Sequence, residues 1–247
     1  MSHYQEYFRR LAGIIDEVLA TQSNSIETAA AWMADSLAAG GVVHLFGSGH
    51  SHMVAEEVFH RAGSLLPLNP MLDANLTFLG HLNATLLERT PGYGRVIVES
   101  HDIRPGEVVF VISNSGVNPV PIEAALAARD RGARTIAITA DRYYIGTPSR
   151  MEGGRRLADV AELVIDTCVP RGDALVEIPG VATPAGGASS AVGIAIINAV
   201  VVETAAQMAE RGVEPPVIPS MNVPGGDERM AILVEQYGSR LPLLRHA

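Results

Sequence analysis

Val108-Val109-Phe110-Val111-Ile112 runs into Ser113-Asn114-Ser115-Gly116-Val117-Asn118, and this stretch decides how the chain is read. An unbroken apolar run, entered through Pro105-Gly106 and left through a polar turn, predicts a strand buried on both faces. A helix follows from Pro121 to Arg131, stopped by Gly132, and Thr135 to Thr139 is the next buried strand. Toward the N-terminus, Val42 to Phe46 repeats the pattern. It is closed by Gly47-Ser48-Gly49-His50-Ser51 and followed by a helix from Ser51 to about Ala62. Leu163 to Thr167 predicts a fourth strand, and Leu65 to Leu68 a short fifth. Apolar strands separated by helices mean an α/β fold with a parallel sheet covered on both faces.

Residues 1–40 read as an N-terminal helical segment, 41–210 as the sheet domain and 211–247 as a tail packing on the core or a neighbouring subunit. Tyr4 to Thr21 places Tyr7, Phe8, Leu11, Ile14, Ile15, Val18 and Leu19 at helical spacing. Ser25 is a candidate cap for a second helix that ends at Gly40-Gly41. Ala188 to Glu210 predicts a long, almost wholly buried helix. Three segments break the alternation: an insertion from Asn69 to Glu99, a Gly/Pro-rich loop from Asp173 to Gly187, and the proline-bearing tail. The insertion has a helical centre at Leu76, Leu79, Leu82 and Leu86. Long loops in a compact domain are commonly functional or pack on a partner.

Composition narrows the chemistry. The 247 residues are 47% apolar and 18% charged, with a net charge of −9. That balance suits a buried core and argues against nucleic acid as a partner. All 18 basic residues are arginine, so no lysine is present for a Schiff base or a Walker P-loop. The lone cysteine, Cys168, allows no internal disulfide and reads as a small core residue near a strand end. The apolar run from Ala191 to Val202 falls short of the ~18 residues of a membrane span. The expected location is cytoplasmic, without membrane contact.

Ligands of open parallel sheets sit beyond the carboxyl ends of the strands. Gly47–Ser51 and Ser113–Asn118 both combine glycines, which let a backbone approach a ligand, with hydroxyls that donate to an anion. Either alone would pass as an ordinary strand-to-helix turn with a capping serine. Two after two buried strands suggest a small phosphorylated metabolite.

These blocks, with the strand Thr135–Thr139 and the segment Ala158–Ile165, resemble the SIS (sugar isomerase) domain family from about Gly41 to Glu210. Within it, the chain is most similar to phosphoheptose isomerase-like proteins and an uncharacterised bacterial group. The resemblance implies a three-layer, doubly wound, five-stranded parallel sheet of flavodoxin-like form. It implies that Ser51, Ser113, Ser115 and Asn118 hold phosphate, with Ser48, Gly49, His50 and Asn114 nearby. Asn118 stands where a hydroxyl residue is common. Phosphoheptose isomerases can use zinc held partly by a late-helix histidine; the matching position here is Asn198, so no metal or other cofactor is expected. Ser189 and Ser190 are candidates for sugar contact, or for capping that helix.

His52, Glu56 and His60 are spaced by four along the predicted helix after the first turn, which puts them on one face. A carboxylate and an imidazole one turn apart serve as base and acid, or as two metal ligands, or form a routine exposed pair. Glu56 and His60 are the catalytic candidates, with Glu57 and Glu203 next. His81, Glu88 and Glu99 read as surface residues able to close over a site, and His44 as a satisfied core histidine. Arg142-Tyr143-Tyr144 either contacts sugar or packs a loop.

The expected function is removal of the C2 proton of a sugar phosphate by a carboxylate. Loss of the C3 substituent then gives a dehydratase or etherase-like lyase; reprotonation gives aldose–ketose isomerisation. Etherases of bacterial wall sugars, which also resemble this fold, take the first route, and an amino-sugar 6-phosphate is the favoured substrate. The alternative is a non-catalytic phosphosugar sensor. Either form is expected to be a homodimer or larger homo-oligomer.

Overall fold

The computed structural model describes residues 2–80 and 83–244; His81 and Leu82 of the insertion lie outside them. Helix α1, His3–Ala38, is one helix of 36 residues, where the sequence suggested two. Ser25 caps nothing because no glycine or proline interrupts residues 14–39. Thr21, Ser23 and Thr28 donate to the carbonyls of Glu17, Leu19 and Asn24 within the helix, so the polar stretch stays helical.

The sheet follows: β1 (Val43–Gly47), β2 (Leu68–Pro70), β3 (Val108–Ile112), β4 (Arg134–Thr139) and β5 (Leu163–Asp166). All pairings are parallel, in the order β2-β1-β3-β4-β5. The fifth strand lies later than expected because Leu65 bridges to Val217, and the amide of Leu66 donates to Pro216 O at 3.0 Å. The tail thus claims the segment before β2.

Val43, Leu45, Val108, Phe110, Ile136 and Ile138 face a core with α1, α2 (His52–Glu57) and α8 (Ser189–Glu210). Phe46, Val109, Val111 and Ala137 face a second core with α4 (Tyr93–Glu99), α5 (Pro119–Asp130) and α7 (Leu157–Val160). Short helices α3 (Asn83–Leu87) and α6 (Asp141–Tyr144) occupy the insertion and the segment after β4. The Gly/Pro-rich loop forms an antiparallel ribbon, β6 (Ala174–Val176) and β7 (Ala185–Gly187). In the tail, α9 (Gly226–Tyr237) packs Met230 and Leu233 on Val42 and Leu66.

Helix α8 is less buried than expected. Ala191, Ala195, Ala199, Val202 and Ala206 form an exposed face, with Val202 68% exposed. By length and composition α8 is also long and apolar enough to cross a membrane, with Glu203 its one charged residue before Glu210. Its opposite face is built into the protein core.

A buried polar cluster closes the amino-terminal end of the sheet. His44 is the satisfied core histidine expected: Asn69 Nδ2 donates to its Nδ1 at 3.0 Å, and its Nε2 lies 3.1 Å from Glu107 Oε2. Asn69 also donates to His101 at 3.3 Å. Glu107 accepts from the amides of Val42 and Arg104, each at 2.9 Å, and from the guanidinium of Arg240 in the tail. Burial alone would raise the Glu107 pKa, but the bonds from His44, Arg240 and the two amides bring it down to about 2. Burial and the neighbouring His44 push His101 down to about 4.

Candidate functional site

Strand order changes direction between β1 and β3, which makes their carboxyl ends the switch point where such sheets bind ligands. Gly47 pairs with Ile112, so the turns Gly47–Ser51 and Ser113–Asn118 leave the sheet side by side. Backbone space keeps them tight. A Cβ at Gly47 would collide with the Ser51 carbonyl, and Gly116, at φ 62°, leaves only 3.0 Å between such an atom and Thr139 Oγ1.

A cavity of about 10 Å³, room for about one water, lies beneath the turns. Ser51, Asn114, Thr167, Ser189 and Ser190 supply its polar wall, and Val54, Ile112, Ile138 and Gly193 the rest. A sugar phosphate is far larger, so these groups can meet it only from the open side. Asn114 is fixed between strands: its carbonyl accepts from the Ala140 amide at 2.9 Å, and its Oδ1 from Thr167 Oγ1 at 3.4 Å. Ser113 Oγ accepts from the Gly116 amide at 3.3 Å, while Ser115 is half-buried. Ser189 is a capped residue: its amide and hydroxyl both donate to Asp173, and Ser190 keeps the cavity wall.

The first turn is covered by the insertion. Ser48 Oγ donates to Glu88 Oε1 at 2.7 Å, which brings to the site a carboxylate that read as surface. The Val120 amide, in the first turn of α5, donates to the Glu88 carbonyl at 3.2 Å, so Glu88 ties both turns together. His50 and His52 each meet the Phe78 ring edge-on, with centroids 4.8 Å apart. Phe78 remains 51% exposed and sits over the turn as a cover. No local motif marks Glu88 or Phe78; only the course of the insertion reveals them.

The one-face argument for His52, Glu56 and His60 fails. Helix α2 ends at Glu57, because the Val58 carbonyl is taken by Ser64 Oγ at 2.6 Å and the chain turns toward β2. His60 stands beyond the helix in the left-handed region, at φ 50°. The imidazole beside Glu56 is that of buried His52, whose Nε2 lies 3.8 Å from Glu56 Oε1 and whose Nδ1 meets the Gly49 carbonyl. Glu57 pairs with Arg61. Glu203 accepts from Gln207 at 2.9 Å along α8, and Glu99 is exposed on α4. Arg142 is committed to Asp166 at 3.1 Å and to Glu17 of α1, and it packs its loop.

The zinc arrangement of phosphoheptose isomerases does not fit these residues. Asn198 Nδ2 donates to the Ile194 carbonyl of its own helix at 3.0 Å. Among the described residues, no three His, Cys, Asp or Glu side chains converge as a metal cluster.

The SIS-domain model matches residues 6–140, more than half the chain. UPF0309 protein GK1441 of Geobacillus kaustophilus is 42% identical over 240 residues, covering 97% of this chain and 96% of its own. Phosphoheptose isomerase GmhA from Neisseria gonorrhoeae superposes with a TM-score of 0.55 at 20% identity, over 81% of this chain and 95% of its own. The sugar isomerase domain of the RpiR transcription factor from Sphaerobacter thermophilus superposes with a TM-score of 0.52 at 20% identity, over 84% and 92%. The sheet order, the paired turns at its switch point and the family match agree: the chain belongs to the SIS-domain family.

Proposed function

We propose that this chain is an enzyme acting on a phosphorylated sugar, favouring an amino-sugar 6-phosphate. The observation that carries the reading is the register of Gly47 against Ile112, which sets two hydroxyl-bearing turns side by side at the switch point. Phosphate would sit on the turns, and a carboxylate would take the proton at C2. The electron pair of that C–H bond then forms an enolate. Either the proton returns to C1 while the C2 hydroxyl proton passes to the C1 oxygen, giving isomerisation, or the C3–oxygen bond breaks and the departing oxygen takes a proton, giving elimination.

Glu88, bonded to Ser48, is the carboxylate best supported as the base. Glu56, beside His52, is the second candidate, and His60 the proton donor to test once Glu56 and Glu88 are assigned. Incubation with a panel of sugar phosphates, read by mass spectrometry, tests the reading. Loss of water or of an ether substituent means elimination, and unchanged mass with altered retention means isomerisation. A phosphosugar sensor is the second reading, favoured because no carboxylate lines the cavity beneath the turns; binding with no change in any substrate would select it.

The working form is a homodimer or larger. Tyr4, Phe8 and Leu19 on α1 and Val202 on α8 are exposed apolar residues of the kind that a second copy covers.

A further inference from the structure

Helix α5 would be expected to offer its N-terminal amides to an anion, but most of them are gone. Pro119 and Pro121 have no N–H, and the Val120 amide donates to Glu88. The first turn of α5 carries no acidic residue, and the chain has no lysine. An anion on the second turn therefore needs a cation from elsewhere in the fold.

The segment after β4 brings one. Residues 149–157 lie along the second turn: the Arg150 amide donates to the Val117 carbonyl, and the Leu157 amide to the Gly116 carbonyl, each at 2.8 Å. Ser149 Oγ donates to the Arg155 carbonyl at 2.7 Å and accepts from the Met151 amide at 3.0 Å, so the loop is braced on both sides of Arg150. From there the exposed Arg150 side chain reaches back 32 positions, and its Nη1 donates to Asn118 Oδ1 at 2.9 Å. Asn118 is 8% exposed and caps α5 without a side-chain bond to the helix.

Two features make this pair more than a loop latch. Among the described residues, Arg150 forms no ion pair with a carboxylate, in common with Arg89, Arg129, Arg131, Arg155 and Arg171, but of these only Arg150 bonds a side chain of the second turn. Its charge also stands beside the positive end of the α5 dipole, an arrangement that becomes favourable when an anion joins it. The guanidinium engages Asn118 through the oxygen, which leaves the amide nitrogen of that side chain as a donor. A cation and a donor together replace the hydroxyl common at this position.

We propose that Arg150 is the cationic ligand for the phosphomonoester of the substrate, acting as one unit with Asn118. The proposal rests on the phosphosugar reading and adds a residue and a charge to it. Guanidinium forks match phosphate oxygens in pairs, which an isolated hydroxyl cannot do.

Arg150→Gln keeps a donor for Asn118 and removes the charge; Arg150→Lys keeps the charge. Titration of the full chain with inorganic phosphate and with glucosamine 6-phosphate, by calorimetry at two salt concentrations, reads the effect. Arg150→Gln is expected to weaken both ligands at least tenfold and to flatten their salt dependence, with an unchanged melting temperature. Arg150→Lys should recover part of the loss. Ser113→Ala with Ser115→Ala is the control for the turn. If that double variant loses binding while Arg150→Gln binds as the unaltered chain does, the phosphate turn stands and the role of Arg150 is overturned. If the unaltered chain binds neither ligand, the phosphosugar reading falls and takes this proposal with it.

Discussion

Asp173 and Ser189 are joined twice: the Asp173 carboxylate accepts from the Ser189 amide at 2.7 Å and from its hydroxyl at 3.0 Å. The Ala188 amide adds a third bond at 3.0 Å. The start of α8 is thus neutralised by an internal carboxylate. Asp173→Ala is expected to destabilise the chain by about 1–2 kcal/mol, as loss of a helix cap does. Urea denaturation checks it, with Asp173→Asn losing less; an unaltered midpoint in the alanine variant would refute the capping role.

The base is tested by removing one carboxylate at a time. Glu88→Gln keeps shape and hydrogen-bonding capacity, and should lower turnover by about 10²–10⁴-fold with phosphosugar binding retained. Solvent deuterium exchange at C2 should fall with it. Full exchange in Glu88→Gln and none in Glu56→Gln would transfer the role to Glu56. His60→Gln should slow product formation and leave C2 exchange intact if that imidazole serves the departing oxygen.

Stability should fall in two successive, slightly overlapping pH windows. His101 has its pKa depressed from 6.5 to about 4, so the unfolded chain takes up a proton that the folded chain refuses. Its contribution is intact above about pH 6.5 and lost as pH falls toward 4. Glu107, depressed from 4.5 to about 2, contributes above pH 4.5 and loses that contribution as pH falls toward 2. Urea midpoints from pH 7 to pH 3 check both. His101→Asn should flatten the upper window alone, and a slope unchanged there would exclude His101 as its source.

Assembly is tested on α8. Val202→Arg places a charge on its exposed apolar face and should shift the chain toward monomer in light scattering at micromolar concentration, with its circular dichroism retained. A monomer before substitution would exclude the homodimer.

The main strands and both turns were legible because burial on two faces leaves unbroken apolar runs such as Val108–Ile112. His44 was legible for the same reason, lying within such a run. Arg150 was not, and Glu88 was legible only as a surface residue able to close over a site, since each reaches its turn from an irregular segment, 32 and 40 positions away. His60 was misplaced because periodicity does not register that Ser64 ends α2 early by taking the Val58 carbonyl. The single long α1 was missed because serine and threonine can bond their own helix as readily as cap a new one.

The bond between Arg240 and Glu107 joins residues 133 positions apart. At the usual 5–20 residues per second of synthesis, about 7–27 s pass between the making of one and the other. By then every strand of the main sheet and both serine-bearing turns have already been synthesised. A ribosome stalled after α8 would therefore carry a chain that has the whole main sheet and both serine-bearing turns but lacks the guanidinium for its buried carboxylate.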